Sequence, residues 1–437
     1  MDQNTLNERV VDEAAMSRRT FIHGGGLLLG FALIATSAEP VFAADDTPIL
    51  QDEVTATFAP NGFIRINPTG AVTLIMPMIE MGQGVYTSLP MLLAEELEVR
   101  LDQVELQHAP PNPALYSNSL IGIQNTGGSA SVRAFWTPLR QAGAVGCNLL
   151  IAAAAKRWNV DPATCHAKEG MVLDASGARH LSYGELAEAA AKLPLPPVTE
   201  IKLKDPKDFK LIGKRIKRVD SPIKVDGRAL YGIDTHQPGM KVAAVAISPV
   251  LGGKAKTVDE KAALAVKGVR QVVNIGEAVA VVADHMGAAR KGVEAAAITW
   301  DDGPNANVNS ADILKQLEEE SQKPGVVARS VGDVDKAFAG AAKRLDAIYQ
   351  VPFLAHAAME PMNCTAHLQK DRCDIWVGTQ CPEITLNQLA ELTGLPKEAI
   401  HIHNHLIGGG FGRRLEPDGT ILAVKIAKHV DGPVKVI

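Results

Sequence analysis

Apolar and polar residues alternate where the chain first becomes patterned. Residues 63–67 (Phe-Ile-Arg-Ile-Asn) and 71–75 (Ala-Val-Thr-Leu-Ile) flank Pro68-Thr69-Gly70, which predicts a hairpin with a three-residue turn. The period then changes to that of a helix. Leu89, Leu92, Leu93 and Leu97 share one face of a helix expected from Ser88. Thr137-Pro138 reads as the cap and first residue of a second helix, running through Leu149 to Trp158. Ser182-Tyr183-Gly184-Glu185 fits a capping box for a third.

Pro194, Pro196 and Pro197 interrupt this pattern, and the lysine-rich stretch after them predicts a surface linker over residues 201–224. A second block, 225–305, shows strands at 240–248, 269–275 and 278–282, a helix at 288–296 and a strand at 298–300. The third, 306–437, predicts a strand at 344–351, a hairpin across 370–372, a helix over 382–393 and a strand over 400–406. That strand runs into Gly408-Gly409-Gly410-Phe411-Gly412-Arg413-Arg414, with a helix at 419–429 beyond it. A last strand opens at Val434. With no partner in view its edge would invite association, so the sequence is expected to be incomplete at the C-terminus. The fold class is mixed α+β in several domains, with residues 44–200 forming the first after a leader at 1–43.

The leader changes the picture of where the protein works. Ser17-Arg18-Arg19-Thr20-Phe21-Ile22 precedes an apolar run from residue 27 to 35, and small residues stand before a cut expected at Ala44. The run is far shorter than the roughly 20 residues of a membrane span, so a removable twin-arginine signal and a periplasmic destination are expected. That route carries proteins already folded, as cofactor insertion in the cytoplasm requires. Composition is ordinary: 437 residues, 46% hydrophobic and 21% charged, which excludes disorder and a polytopic membrane protein. A net charge of −5 gives no footprint for a nucleic-acid partner. None of the five cysteines forms a C-x-x-C pair, so no zinc ribbon or thiolate-held iron–sulfur cluster is offered. Cys147, Cys364, Cys373 and Cys381 read as buried packing groups, and any electron path must continue on another polypeptide.

Several glycine-opened segments carry the candidate chemistry. In Glu80-Met81-Gly82-Gln83-Gly84 the glycines bare the backbone, and the Gln83 amide offers both donor and acceptor to a heterocycle. Thr126-Gly127-Gly128-Ser129-Ala130-Ser131 precedes a helical stretch, where amides and hydroxyls suit a phosphate. Gly378-Thr379-Gln380 ends a strand and aims an amide at a cavity. The Gly408–Gly410 run is neither a Rossmann fingerprint nor a P-loop. Singly, each of these is equally a turn or a helix cap.

Together they resemble the large, molybdopterin-binding subunit of the xanthine oxidase family, specifically the isoquinoline 1-oxidoreductase beta-subunit type. The resemblance rests on residues 80–84, 126–129, 378–380 and 408–413, with His356, Met359, Glu360 and Pro361. The block at 225–305 looks like that family's α/β hammerhead domain. The Met-Gly-Gln-Gly segment comes before it, the permuted order of the isoquinoline branch.

The resemblance implies a molybdenum hydroxylase or aldehyde dehydrogenase large subunit. Molybdenum would sit on a molybdopterin, in the cytosine dinucleotide form, with water as the oxygen source for an aromatic N-heterocycle or an aldehyde. Electrons would pass to a small subunit with [2Fe–2S] clusters and on to an acceptor such as a cytochrome. By the same carry-over Gln380 bonds a molybdenum oxo ligand and the Phe411 N–H supports another ligand. Gln83 and Gly84 contact the pterin, Thr126, Gly127, Gly128, Ser129 and Ser131 form the phosphate stretch, and Gly409, Gly410, Gly412 and Arg413 complete the glycine loop. The family's general-base glutamate is expected beyond Ile437, so neither Glu360 nor Glu416 takes that role and the span given is expected to be inactive alone. Two alternatives stand beside this. His401, His403 and His405 alternate along one strand and could anchor a zinc hydrolase, or the chain could be a non-catalytic exported binding module.

Overall fold

The computed structural model describes residues 58–437, and the expected leader lies outside them. Two compact units are present among the described residues, 58–241 with 358–437, and 242–357.

The first unit opens on a four-stranded sheet: β1 (Phe58–Asn61), β2 (Ile64–Ile66), β3 (Val72–Met76) and β4 (Val104–His108), in that order. β2 and β3 form the expected hairpin, and β4 lies parallel to β3. A parallel neighbour needs a crossover, supplied by helix α1 (Val85–Leu97). Ile64, Ile66, Leu74 and Met76 point into the core from alternate positions, where Leu89, Leu93 and Leu97 meet them. α1 starts three residues before the expected Ser88, because Gly84 caps it at φ 92°.

Helix α2 runs from Ser131 to Trp158 and contains Pro138 in its interior, where the sequence predicts a start. The proline forfeits one helical hydrogen bond, but extension buries Ala134 and Phe135, the latter edge-on to Phe63 at 6.4 Å. Packing overrides the local signal. α1 and α2 cross closely at Gly143, where a Cβ would lie 2.4 Å from Leu93 O. A small antiparallel sheet, β5 (His166–Lys168), β6 (Met171–Leu173) and β7 (His180–Ser182), leads into α3 (Tyr183–Ala191). Its capping box is the expected one, Ser182 Oγ accepting from Glu185 N and Glu185 Oε2 from Ser182 N.

The stretch expected as a surface linker lies at the surface, with only Asp220 of residues 201–224 buried, and is strapped to α1. The buried Glu95 carboxylate accepts from the amides of Lys210, Leu211 and Ile212 and from Lys204 Nζ at 2.9 Å, while Glu96 pairs with Arg140 at 2.7 Å. Lys204 and Lys210 pair with Glu95 and Glu98 at the C-terminal end of α1.

In the second unit β8 (Lys241–Ile247), β10 (Val269–Asn274) and β11 (Ala278–Ala283) form an antiparallel ribbon with β11 central, and β9 (Lys254–Thr257) pairs with β12 (Thr299–Asp301). Helix α4 (Met286–Ala295) lies on β11, with Ala288, Ala289 and Gly292 against Val281 and Val269. The polar glutamates at 318–320 fall in a helix, α5 (Ser310–Ser321). The strand expected at 344–351 is not formed. Leu345, Ile348, Tyr349 and Val351 are exposed, and no strand among the described residues pairs with that segment, which is the condition a strand needs.

Back in the first unit, β13 (Cys364–Leu368) and β14 (Cys373–Val377) form the second expected hairpin, and β15 (Ile400–Asn404) runs parallel to β14 across helix α6 (Pro382–Thr393). Helix α7 (Asp418–Ala427) precedes β16 (Val434–Val436). β16 is not the unpaired edge that the sequence suggests: Val436 and Val434 sit opposite Cys364 and Ala366. All five cysteines are free, four of them buried.

Candidate functional site

Four loops of the first unit meet in one place, each hydrogen-bonded to the next. Ile79 N donates to Thr126 Oγ1 (2.9 Å), and Glu80 O accepts from Ile407 N (3.0 Å) at the entry to the glycine run. Thr126 N donates to Gln380 O, and Thr126 O accepts from Gln380 Nε2, both at 2.8 Å. Gln380 N donates to Arg414 O (2.9 Å), and Gln380 Oε1 accepts from Gly412 N (3.2 Å). Segments more than 250 positions apart in the chain thus share one hydrogen-bonded rim.

Strand ends supply this geometry. β3, β14 and β15 each stop at the rim, and the turns beyond them need backbone that only glycine adopts freely. Gly409 and Gly412 have φ of 105° and 92°, with Phe411 between them at 52° and its ring largely exposed. Gly410 is fixed by space: a Cβ there would lie 2.6 Å from both Gln380 Oε1 and Met81 Sδ. Gly410→Ala is expected to cost about 1–3 kcal/mol by forcing these apart. A lowered thermal unfolding midpoint checks it; a wild-type midpoint counts against the close approach.

Two of the glycine loops close on a buried carboxylate. Glu80 Oε1 accepts from the amides of Gly82 (2.8 Å) and Gly84 (3.1 Å), and Oε2 from Tyr86 N (2.9 Å). Glu360 Oε2 accepts from Gly408 N (2.9 Å) and pairs with Arg414 (3.1 Å), itself 1% exposed, while Oε1 takes Asn363 Nδ2 and Ile233 N. Both carboxylates are structural anchors. Arg414 and Glu80 stand in the motifs that the sequence offers, but no role there is assigned to them, although an acid beside a glycine run is the available signal.

The candidate residues fall into two groups. The side chains of Gln83, Thr126, Gln380 and Arg413 are engaged inside the protein: Gln83 with Met81 N and Ile79 O, Thr126 with Ile79 N, Gln380 as above, and Arg413 twice with Asp418 at 2.7 Å. Main-chain donors form the second group. Among the described residues the N–H groups of Gly127, Gly128, Ser129, Gly409, Gly410 and Phe411 find no acceptor. Ser131 opens the 28-residue α2, adding the positive end of its dipole. Gly82, Gly84 and Gly412 face open space. His356 and Met359 are exposed.

The histidine strand does not make a metal site. His403 Nε2 is held by Asp374 Oδ1 at 2.9 Å with its ring stacked on Trp376, and His405 turns to Thr235. Burial, with the nearby His403, pushes His405 down to about 4. No group of three His, Cys, Asp or Glu among the described residues is placed to hold a metal ion.

A set of unmatched amides around glycine-lined space suits an anionic group held through the backbone. The orphaned Asn125 Oδ1, whose Nδ2 lies near Gly127, is an acceptor and suits a ring N–H of such a group, not its anionic part. The molybdopterin cofactor-binding domain matches residues 11–249, and a second domain of that description matches 318–437. The isoquinoline 1-oxidoreductase beta subunit of Brevundimonas diminuta is 30% identical over 99% of this chain and 60% of its own length. A membrane-bound aldehyde dehydrogenase [pyrroloquinoline-quinone] of Gluconacetobacter polyoxogenes is also 30% identical, over 98% of this chain and 56% of its own. Among solved structures, the aldehyde oxidoreductase of Desulfovibrio gigas aligns over 81% of this chain and 40% of its own with 17% identity and a TM-score of 0.40. The chain belongs to the xanthine oxidase family of molybdenum-binding large subunits. It spans less than two thirds of the length of the relatives it matches.

Proposed function

We propose that this chain is the cofactor-cradling part of an exported molybdenum hydroxylase that oxidises N-heteroaromatics of the isoquinoline class, or aldehydes, and passes electrons to a [2Fe–2S] small subunit. The observation that carries the reading is the rim of unengaged amides, 127–129 on one loop and 409–411 on another, joined through Gln380. The 127–129 amides and the N-terminus of α2 suit the phosphates of a dinucleotide pterin. The cytosine form follows from the resemblance. The Phe411 N–H is a fixed dipole available to a molybdenum ligand, and Gln380, held at both ends of its amide, stands beside it without reorganising. When bound, the cofactor supplies the two-electron oxidation, with oxygen drawn from water. The chain's own residues hold and orient it, and their rigidity comes from Glu80, Glu360 and Arg414. The Arg18-Arg19 leader supports the periplasmic assignment.

The test is the whole protein purified with its small subunit. Molybdenum close to one per large subunit is expected, with dye reduction on isoquinoline or an aldehyde. An intact preparation without molybdenum defeats the proposal. Zinc in its place would return the hydrolase reading.

A further inference from the structure

The loop at 79–84 is held from outside by a segment distant in sequence. Arg218 Nη1 donates to Gly82 O (2.8 Å) and Nη2 to Glu80 Oε1 (2.9 Å), while Nε and Nη2 grip Asp220 at 2.9 and 2.7 Å. Lys224 Nζ completes the group, 2.5 Å from Asp220 and 3.6 Å from Glu80. Val219 N, next in the chain, donates to Thr87 Oγ1 on α1. The carboxylates of Glu80 and Asp220 are 0% and 2% exposed, so two buried negative charges face two cations and the group is neutral.

We infer that Arg218 is the positioning residue of this loop: its planar guanidinium bridges the Gly82 carbonyl to the Glu80 carboxylate that binds the Gly82 and Gly84 amides, fixing the face turned to the cofactor. This rests on the reading that the loop borders a molybdopterin. A fork of donors is required, because one group must reach a carbonyl and two carboxylates at once. Lysine at 218 keeps the charge and loses the bridge. Without a cation there, an uncompensated buried carboxylate would stand beside a polyanionic ligand.

Arg218→Lys and Arg218→Ala, made in the full-length protein with its small subunit, separate charge from geometry. Amide hydrogen exchange over residues 81–84 is expected to quicken about ten- to hundredfold in both variants, the effect of losing a charge-assisted hydrogen bond. Molybdenum content is expected to fall, or KM to rise, with the Lys variant still folded at the assay temperature. Wild-type exchange in Arg218→Lys overturns the inference, as does quickened exchange with unchanged molybdenum content and KM. Should the wild-type protein itself carry no molybdenum, the functional reading fails on its own. Exchange in Arg218→Lys still decides the clamp, quickening supporting it and wild-type protection overturning it.

Discussion

Replacing Glu360 by alanine is expected to lower the stability of the first unit by about 3–5 kcal/mol, the cost of stranding a buried guanidinium without its carboxylate. Arg414 is 1% exposed, and its donors reach Glu360 O (2.8 Å), Glu360 Oε2 (3.1 Å) and Gly409 O (3.1 Å). Burial already pulls the Arg414 guanidinium below its ordinary value, and the Glu360 charge opposes that pull. Removing Glu360 also takes the acceptor from Gly408 N and from Ile233 N. At about 2–4 °C per kcal/mol for a unit of this size, a thermal midpoint lower by about 6–20 °C is expected. Glu360→Gln keeps one acceptor oxygen and loses the charge, so a smaller fall of about 1.5–3 kcal/mol is expected. A Glu360→Ala protein that unfolds within about 2 °C of wild type refutes the anchor. Glu360 then also needs another explanation for its burial.

How much of this fold is legible in the sequence depends on the range of the interaction involved. The β2–β3 hairpin, the Ser182 cap and the Pro382 start of α6 are written in residues within four or five positions, and they form as expected. The glycine loops are visible as motifs, because an open backbone has a short signature. The distant partners of their anchoring carboxylates are not. Glu80 and Arg218 are 138 positions apart, and no local pattern marks an arginine at the end of a lysine-rich stretch as the partner of a buried acid. Similar separation hides the role of Glu95, which turns the apparent linker into a strap. Pro138 shows the opposite failure, a strong local signal overruled by the burial of Phe135. Segment 344–351 has a strand's composition and no strand beside it, so composition alone misleads.

Acidification is expected to weaken the first unit well above the range where carboxylates titrate, because two histidines are buried in neutral form. Burial, reinforced by the nearby His405, pushes His108 down to about 3. Burial and the nearby His403 push His405 down to about 4, with Lys435 acting in the same direction and Asp234 opposing. Unfolded, both take up a proton near pH 6.5. Between that value and their folded ones the unfolded chain therefore binds more protons, and stability falls as pH falls, by up to about 1.4 kcal/mol per unit for each histidine. The Tyr86 hydroxyl on His108 and the Thr235 hydroxyl on His405 supply neutral partners that fit this state. Asp374, which His403 and Arg372 hold below the usual carboxylate range against the upward push of burial, adds its own loss only below about pH 3.8. Urea unfolding of the first unit at pH 7.5, 6.0, 5.0 and 4.5 (roughly spanning the window set by these groups) separates them. The midpoint is expected to be flat above pH 6.5 and to decline steadily beneath it, and His405→Asn is expected to make that decline shallower. A midpoint unchanged down to pH 4.5 would mean that water or a rearranged loop solvates these rings, and that the core behind the four-loop rim is looser than its packing implies.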